Sequence, residues 1–337
     1  MVTIKEIAAQ LNVSPTTVSN VIHGNTKEVS AETIKRVKKL VRDLNYIPNM
    51  SARTLAQNSS KIIGLIMRYP VMEGKNVMQD PFNSELIGTI ESEVRKAGYF
   101  LMLYSTDKAD EILNMAVTWN VDGLIALGLG AKECKKLKET SGQNIVFIDC
   151  YFEDEDEAYV NVGLKDRQYA REMTEYLISQ GHKRIAFLAD NCVGVDYERW
   201  SGYCDALKIH NLPCEDNTFI RIKYGQHGME ESYHEIYGRR RDFTALFFAS
   251  DYYAAFAINF FCDQGLTIPD DMSIAGFDDN IFGRNIRPRL TTMRQNASEK
   301  GRLAVAQVLR LINGESLPVK NIRLDAELKI RKTVKRI

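Results

Sequence analysis

The sequence predicts an all-α helix-turn-helix headpiece joined to a pair of doubly wound, parallel-sheet α/β lobes. Three observations predict it. Apolar residues between positions 4 and 44 recur at helical spacing in three short blocks. From residue 61 onward, apolar runs of strand length alternate with amphipathic stretches of helix length. The length of 337 residues is too great for a single core and suits a small domain followed by two larger lobes.

The headpiece elements follow in order. Ile4, Ile7, Ala8 and Leu11 form one apolar face of a first helix, which Asn12-Val13 breaks. Ser14-Pro15 restarts the pattern, because serine is a good N-cap and proline suits the first helical position. Val18, Val21 and Ile22 then point inward, while Pro15, Thr16, Ser19, Asn20 and His23 share the opposite face with Thr17 beside it. A third helix starts near Ser30, with Ile34, Val37, Leu40, Val41 and Leu44 inward. Three short helices around one small core is the architecture whose second helix reads bases in a major groove. A generic helical hairpin would show similar spacing, so charge has to discriminate. Residues 1–60 carry eight basic and four acidic side chains, a net +4 in a chain whose total is zero. A basic head on an acidic remainder is the asymmetry of a phosphate-binding module.

Residues 48–57 hold Leu55 among small and polar residues and could press an apolar wedge into the minor groove. About nine residues are too few for a stable isolated helix, so a helix over 49–57 should form only when something packs on it. An ordinary polar linker is the plainer reading of such a segment.

Strands are expected at 62–67, 100–104, 123–127, 145–149, 184–188, 219–222, 245–249 and 273–277. Helices are expected at 83–97, 109–119, 132–140, 165–180, 196–210, 229–237 and 252–264. Alternation of this kind with buried strands means parallel sheets, and ligands bind at the carboxyl ends of such strands, here between lobes. No apolar run reaches membrane-spanning length, and the N-terminus lacks a signal-peptide pattern. Cys134, Cys150, Cys192, Cys204, Cys214 and Cys262 show no metal-ligand spacing and read as free thiols of a reducing cytoplasm. No metal or cofactor is expected. Enzyme motifs fail on inspection. His234-Glu235 lacks the second histidine of a zinc-protease helix because Gly238 stands there, and Gly128-Leu129-Gly130 lacks its third glycine because Glu133 stands there. Asp278-Asp279 are adjacent and ill placed to flank one glycosidic bond.

Four stretches closely resemble the lactose-repressor (LacI/GalR) family of bacterial transcription regulators. They are residues 2–8, residues 13–22, Leu44-Asn45-Tyr46-Ile47-Pro48-Asn49 and Ala52-Arg53-Thr54-Leu55. The resemblance implies that Pro15, Thr16 and Asn20 meet base edges, that Ser14, Thr17, Ser19, Tyr46 and Asn49 grip phosphates, and that Leu55 wedges into a central base step. With Thr3, His23 and Arg53 these make the expected DNA-binding set. Many relatives carry Arg or His where Asn20 stands, so the operator cannot be copied from one of them. His23, where Asn is frequent, either packs the helix end or meets a phosphate.

The later part resembles the family's periplasmic-binding-protein-like effector domain, through Gln79-Asp80-Pro81-Phe82, Val121-Asp122-Gly123, Gly181-His182-Lys183-Arg184, Glu198-Arg199-Trp200-Ser201-Gly202-Tyr203, Ser273-Ile274-Ala275-Gly276-Phe277-Asp278-Asp279 and Pro288-Arg289-Leu290-Thr291-Thr292. The implied layout is a headpiece over 1–47, a hinge helix and linker over 48–60 and an effector-binding domain over 61–337. Its N-lobe would take about 61–161 and 292–322, its C-lobe about 162–290 and 323–332. The chain would cross near 161–163, 289–292 and 321–324, and the N-lobe would take back a helix at 296–313. The segment 68–79 is long for the loop after a first strand and could alter the cleft entrance.

Phe82, Asp149, Arg199, Ser250 and Asp278 fall on the effector positions, where Arg199 donates, Asp278 accepts and Phe82 can stack on a sugar face or a base. Asp149 and Asp278 could instead cap the helices that follow their strands. Ser250 stands where the family more often has Asn, which weakens any transfer of ligand identity. Asp251 reads as a helix start, and Tyr197 and His227 are outside candidates for the cleft. The implied protein is a cytoplasmic homodimeric repressor of a pseudo-palindromic double-stranded DNA operator, responsive to a small effector, most simply a carbohydrate, and free of any membrane. The dimer is favoured over a tetramer because no heptad tail follows. The alternatives are an extracytoplasmic-type sugar-binding protein and a regulator controlled by a phosphocarrier-protein partner.

Overall fold

The structure is a computed structural model and describes residues 2–22, 24–46, 59–69, 76–141, 144–152 and 159–337. It divides into two units, Met1–Ser60 and Lys61–Ile337. The expected hinge helix at 49–57 and the expected contacts His23, Asn49, Arg53 and Leu55 lie outside the described residues, as does part of the 68–79 loop.

In the first unit, α1 (Ile4–Leu11) starts from a capping box. The Glu6 N–H donates to Thr3 Oγ1 at 3.3 Å, and the Thr3 N–H donates back to Glu6 Oε2 at 2.7 Å. Asn12 closes the helix in the left-handed region, φ 51°. α2 (Pro15–Ile22) is capped by Ser14, whose Oγ accepts from the Thr17 N–H at 3.0 Å. α3 (Ala31–Asp43) is capped by Ser30 and tied back by Arg36, which donates to the Leu11 carbonyl at 3.1 Å. Ile7, Ala8, Val18, Val21 and Val37 are buried at the centre, with Ile34, Leu40, Val41 and Leu44 packed around them.

The second unit begins with β1 (Ile62–Arg68), α4 (Pro81–Lys96), β2 (Phe100–Thr106), α5 (Ala109–Thr118), β3 (Gly123–Leu127), α6 (Ala131–Ser141), β4 (Ile145–Ile148) and β5 (Asn161–Leu164). It crosses into a second lobe through α7 (Asp166–Ser179), β6 (Ile185–Ala189), α8 (Gly194–Ile209), β7 (Phe219–Arg221), α9 (Gly225–Gly238), β8 (Ala245–Phe248), α10 (Asp251–Asp263), β9 (Ser273–Asp278), α11 (Ile281–Asn285) and β10 (Thr291–Arg294). It returns for α12 (Ala297–Ile312) and β11 (Asn321–Leu324), then crosses a last time to β12 (Glu327–Lys329). The sheets run β11-β5-β4-β3-β1-β2 and β12-β10-β9-β8-β6-β7, parallel throughout except where β12 pairs antiparallel with β10. β3, β4, β5, β6, β8 and β9 are buried along their whole length. Helices cover both faces of such sheets, which is why these strands, β5 with its Asn161 and Gly163 excepted, read as continuous apolar runs rather than alternating ones.

The expected lobe boundaries are corrected by the strand pairing. β5 belongs to the first sheet to its end, where Leu164 pairs with Leu324 of β11, and β10 belongs to the second, where Arg294 pairs with Asp278. The chain therefore crosses at residues 165, 295–296 and 325–326, because each strand completes its ladder before the backbone leaves the sheet.

The cysteines are also corrected. Cys204 and Cys214 are joined, with Cα atoms 5.7 Å apart, while Cys134 and Cys150 are buried thiols and Cys192 and Cys262 exposed ones. Asn211, left-handed at φ 55°, and the Leu212 N–H bonded to the Leu207 carbonyl fold the chain back after α8 and carry Cys214 to Cys204.

Candidate functional site in the interlobe cleft and on the headpiece

Parallel strands end in carbonyl-rich turns, and the carboxyl ends of β4, β8 and β9 deliver Asp149, Ser250 and Asp278 to one place. Phe82 arrives from the first turn of α4, where Asp80 caps the helix by accepting from the Phe82 N–H at 2.9 Å. Arg199 arrives from α8. All five expected effector residues line one cavity of about 210 Å³ between the lobes. Asp149 and Asp278 hold φ of 54° and 120°, a region few L residues adopt, which turns each carboxylate out of its strand line. Backbone strain of this kind costs about 1–3 kcal/mol per residue and persists where its surroundings enforce it. Neither aspartate spends its carboxylate on capping a helix. Asp149 is held by Lys300 Nζ at 2.7 Å from both oxygens. Asp278 accepts from Gln295 Nε2 at 2.7 Å and from Ser250 Oγ at 2.9 Å.

Arg199 is 5% exposed and held by several partners. Its Nε donates to Asp166 Oδ1 at 2.7 Å and its Nη1 to the Ala249 carbonyl at 2.5 Å. Nη1 also lies 3.8 Å from Asp278, and the guanidinium stacks 3.7 Å over the Phe277 ring. Burial alone would lower its pKa, but Asp166, Asp278 and Asp196 outweigh that and hold it above the ordinary value. Burial raises the Asp149 and Asp278 carboxyls, with Lys300 and Arg199 respectively opposing it.

The sequence reading missed several members. Lys300, on α12, is 1% exposed and stands 5.2 Å from the Phe82 ring. Gln295, in the second crossing, accepts from Lys300 Nζ at 2.9 Å while donating to Asp278, so a hydrogen-bonded chain links the two lobes across the cleft floor. Asp166 couples Arg199 to the Tyr151 hydroxyl. Lys300 carried one signal, since it shares a helical face with Ala297, Gly301 and Ala304, which are buried. Tyr197 and His227 do not line the cavity. Tyr197 is half exposed, and His227 faces solvent beside Glu231. Asp251 is the first residue of α10, buried, accepting from Thr292 Oγ1 and the Asn280 N–H. Asp279 pairs with Arg331 and Arg284. Among the described residues no cluster of His, Cys, Asp and Glu could hold a metal ion, and no helix is long and apolar enough to cross a membrane.

On the headpiece, Pro15 and Thr16 are exposed, with Thr17, Ser19 and Asn20 half exposed on α2. Ser14 and Thr3 are exposed but already cap α2 and α1. Tyr46 is partly buried against the headpiece core.

Residues 3–49 match the bacterial regulatory proteins of the lacI family, and residues 174–334 match a periplasmic binding protein-like domain. The transcriptional regulator MalR of Clostridium butyricum is 31% identical over 96% of this chain and 97% of its own length. The chain belongs to the lacI family. Its fold is likewise that of lacI-family structures. The lac repressor dimer bound to operator and the anti-inducer ONPF superposes with a TM-score of 0.86 at 23% identity, covering 99% of each chain. A transcriptional regulator CelR–cellobiose complex gives 0.73 at 22% identity, covering 99% of this chain and all of the other. A lacI-family chain with a helix-turn-helix headpiece and a two-lobed binding domain is an effector-binding transcriptional regulator.

Proposed function

We propose that this regulator is a cytoplasmic repressor, acting as a homodimer on a pseudo-palindromic operator and released or tightened by a small polyhydroxylated effector, with no catalytic step. One observation supports it above the others. Asp149, Arg199, Ser250 and Asp278 converge on a cavity between two lobes joined by three crossings, in a chain that also carries α2 with a polar outer face. Forked donors beside carboxylate acceptors suit vicinal hydroxyls. The relatives named above with operator and with cellobiose point the same way.

On DNA, Pro15, Thr16 and Asn20 would meet base edges, Asn pairing with adenine, while Ser14, Thr17, Ser19, Tyr46 and Asn49 would hold phosphates and Leu55 would enter the central step. Effector binding would shift the lobes and, through residues 48–60, alter operator affinity by a coupling of about 1–3 kcal/mol. Sequencing duplexes selected from a randomised pool by the purified protein tests this. Enrichment of a pseudo-palindrome with a deformable centre is expected. Absence of enrichment, with and without a panel of sugars, refutes the reading.

A further inference from the structure

We infer that the effector of the cleft is a compact polyol bearing a protonated amine, and that Asp190 and Asp196 receive its ammonium. The inference rests on the reading of the cleft as the effector site.

The cavity beside Asp149 opens into a second volume of about 540 Å³, and the two share Asp149, Asp190 and Asp196 in their walls. The acidic residues lining this space outnumber the basic ones, and the basic ones are committed. Arg68 pairs with Glu133 at 2.5 Å, and Arg199 serves Asp166 and Asp278. Lys300 behind the wall serves Asp149. Asp190 and Asp196 are left over. Among the described residues neither has a Lys, Arg or His in ion-pair contact. Arg221 reaches only the main-chain oxygen of Asp190, at 3.0 Å. The pair is bridged by the Asn191 amide, whose Nδ2 donates to Asp190 at 2.6 Å and to Asp196 at 2.7 Å, and the Tyr253 hydroxyl donates to Asp190 at 2.5 Å. These contacts, with the hydrogen bond between the two carboxyls themselves, bring no cationic side chain to the pair.

Aromatic rings complete the corner. Tyr69 and Tyr224 line the larger volume and Tyr69 and Tyr253 the smaller. Burial raises the pKa of all three hydroxyls, with Asp190 adding to each, which keeps them neutral. Burial, then Asp190, also raises the Asp196 carboxyl well above its ordinary range while Arg199 opposes them, so the pair shares a proton where a cation could stand. An ammonium offers three donors and a charge, matching two carboxylates and the faces of tyrosines. An anionic ligand would meet repulsion there, and a neutral polyol would supply no charge to replace the shared proton.

Calorimetric titration of the full-length protein with D-glucosamine, D-galactosamine and D-mannosamine, each against its neutral parent sugar, tests the inference. At least one amine should bind about tenfold tighter than its parent, a difference of about 1.4 kcal/mol. Asp190→Asn/Asp196→Asn should remove that preference while leaving the parent sugar's affinity nearly unchanged. Asp196→Asn alone serves if the double variant fails to fold. Equal or tighter binding of the neutral sugars or of D-glucuronate, or no binding by any amine, overturns it. Operator binding measured alongside separates the two readings. A neutral sugar that shifts operator affinity upholds the effector site and overturns the cation corner, whereas an amine that binds without shifting it does the reverse.

Discussion

Replacing Lys300 with methionine removes a buried ammonium at nearly constant volume and leaves Asp149 without its only ion-pair partner among the described residues. The Lys300 side chain is 1% exposed and that of Asp149 5%, and three hydrogen bonds end on Nζ, two at 2.7 Å and one at 2.9 Å. Asp149 would then take up a proton rather than stay charged. Holding a carboxyl of ordinary pKa 3.8 neutral near pH 7 costs about 4.4 kcal/mol at 1.36 kcal/mol per pH unit, an upper limit on the deficit because burial already raises Asp149 in the parent. That agrees with the roughly 3–5 kcal/mol lost when one partner of a buried pair is removed. The pH dependence has a definite sign. A folded-state pKa raised above the unfolded value leaves stability intact below about pH 3.8 and withdraws it as pH rises, so the deficit should shrink to no more than about 1.6 kcal/mol near pH 5. Urea unfolding of both proteins at the two pH values measures it, and adding Asp149→Asn to the variant should recover most of the loss near neutrality. A deficit that is the same at both pH values, or that Asp149→Asn does not relieve, refutes the pairing.

Three further outcomes are expected. Asn20→Ala should change the bases enriched in the selected operator more than it weakens non-specific DNA binding, and an unchanged motif would remove Asn20 from base reading. Gly202→Val should cost about 3 kcal/mol in urea unfolding, because a Cβ at Gly202 would stand 2.0 Å from the Arg167 carbonyl oxygen where α8 presses on α7, and a neutral result would mean the two helices can part. His182 is fully buried between Thr244 and the Lys335 carbonyl, and burial holds its pKa below the ordinary 6.5. The unfolded chain therefore binds the proton first, and stability should fall as pH drops below about 6.5. His182→Gln should lose the bond to Lys335 or Thr244 near neutrality, yet close the gap to the parent on acidification, and parallel pH curves would contradict this.

Local pattern determined much of this protein. Helical spacing and the caps at Thr3, Ser14 and Ser30 place α1 to α3, since both act within four residues. Strands buried on both faces mostly announce themselves as apolar runs, so β1, β3, β4, β6, β8 and β9 were legible, whereas β5, with Asn161 and Gly163, was not. The aspartates at the ends of β4 and β9 and Arg199 were legible through their motifs. What tertiary structure alone decided has one physical cause, that the deciding partner is remote in sequence. β10, β11 and β12 are only three or four residues long, too short to show a period, and exist because a neighbouring strand pairs with them. The crossing points follow from where that pairing stops. Lys300 meets Asp149 across 151 residues and Gln295 meets Asp278 across 17, so neither bond has a local signature. Asp190 and Asp196 look like ordinary loop and helix-start residues, and only the fold brings them together in a cavity wall where, among the described residues, no Lys, Arg or His pairs with either.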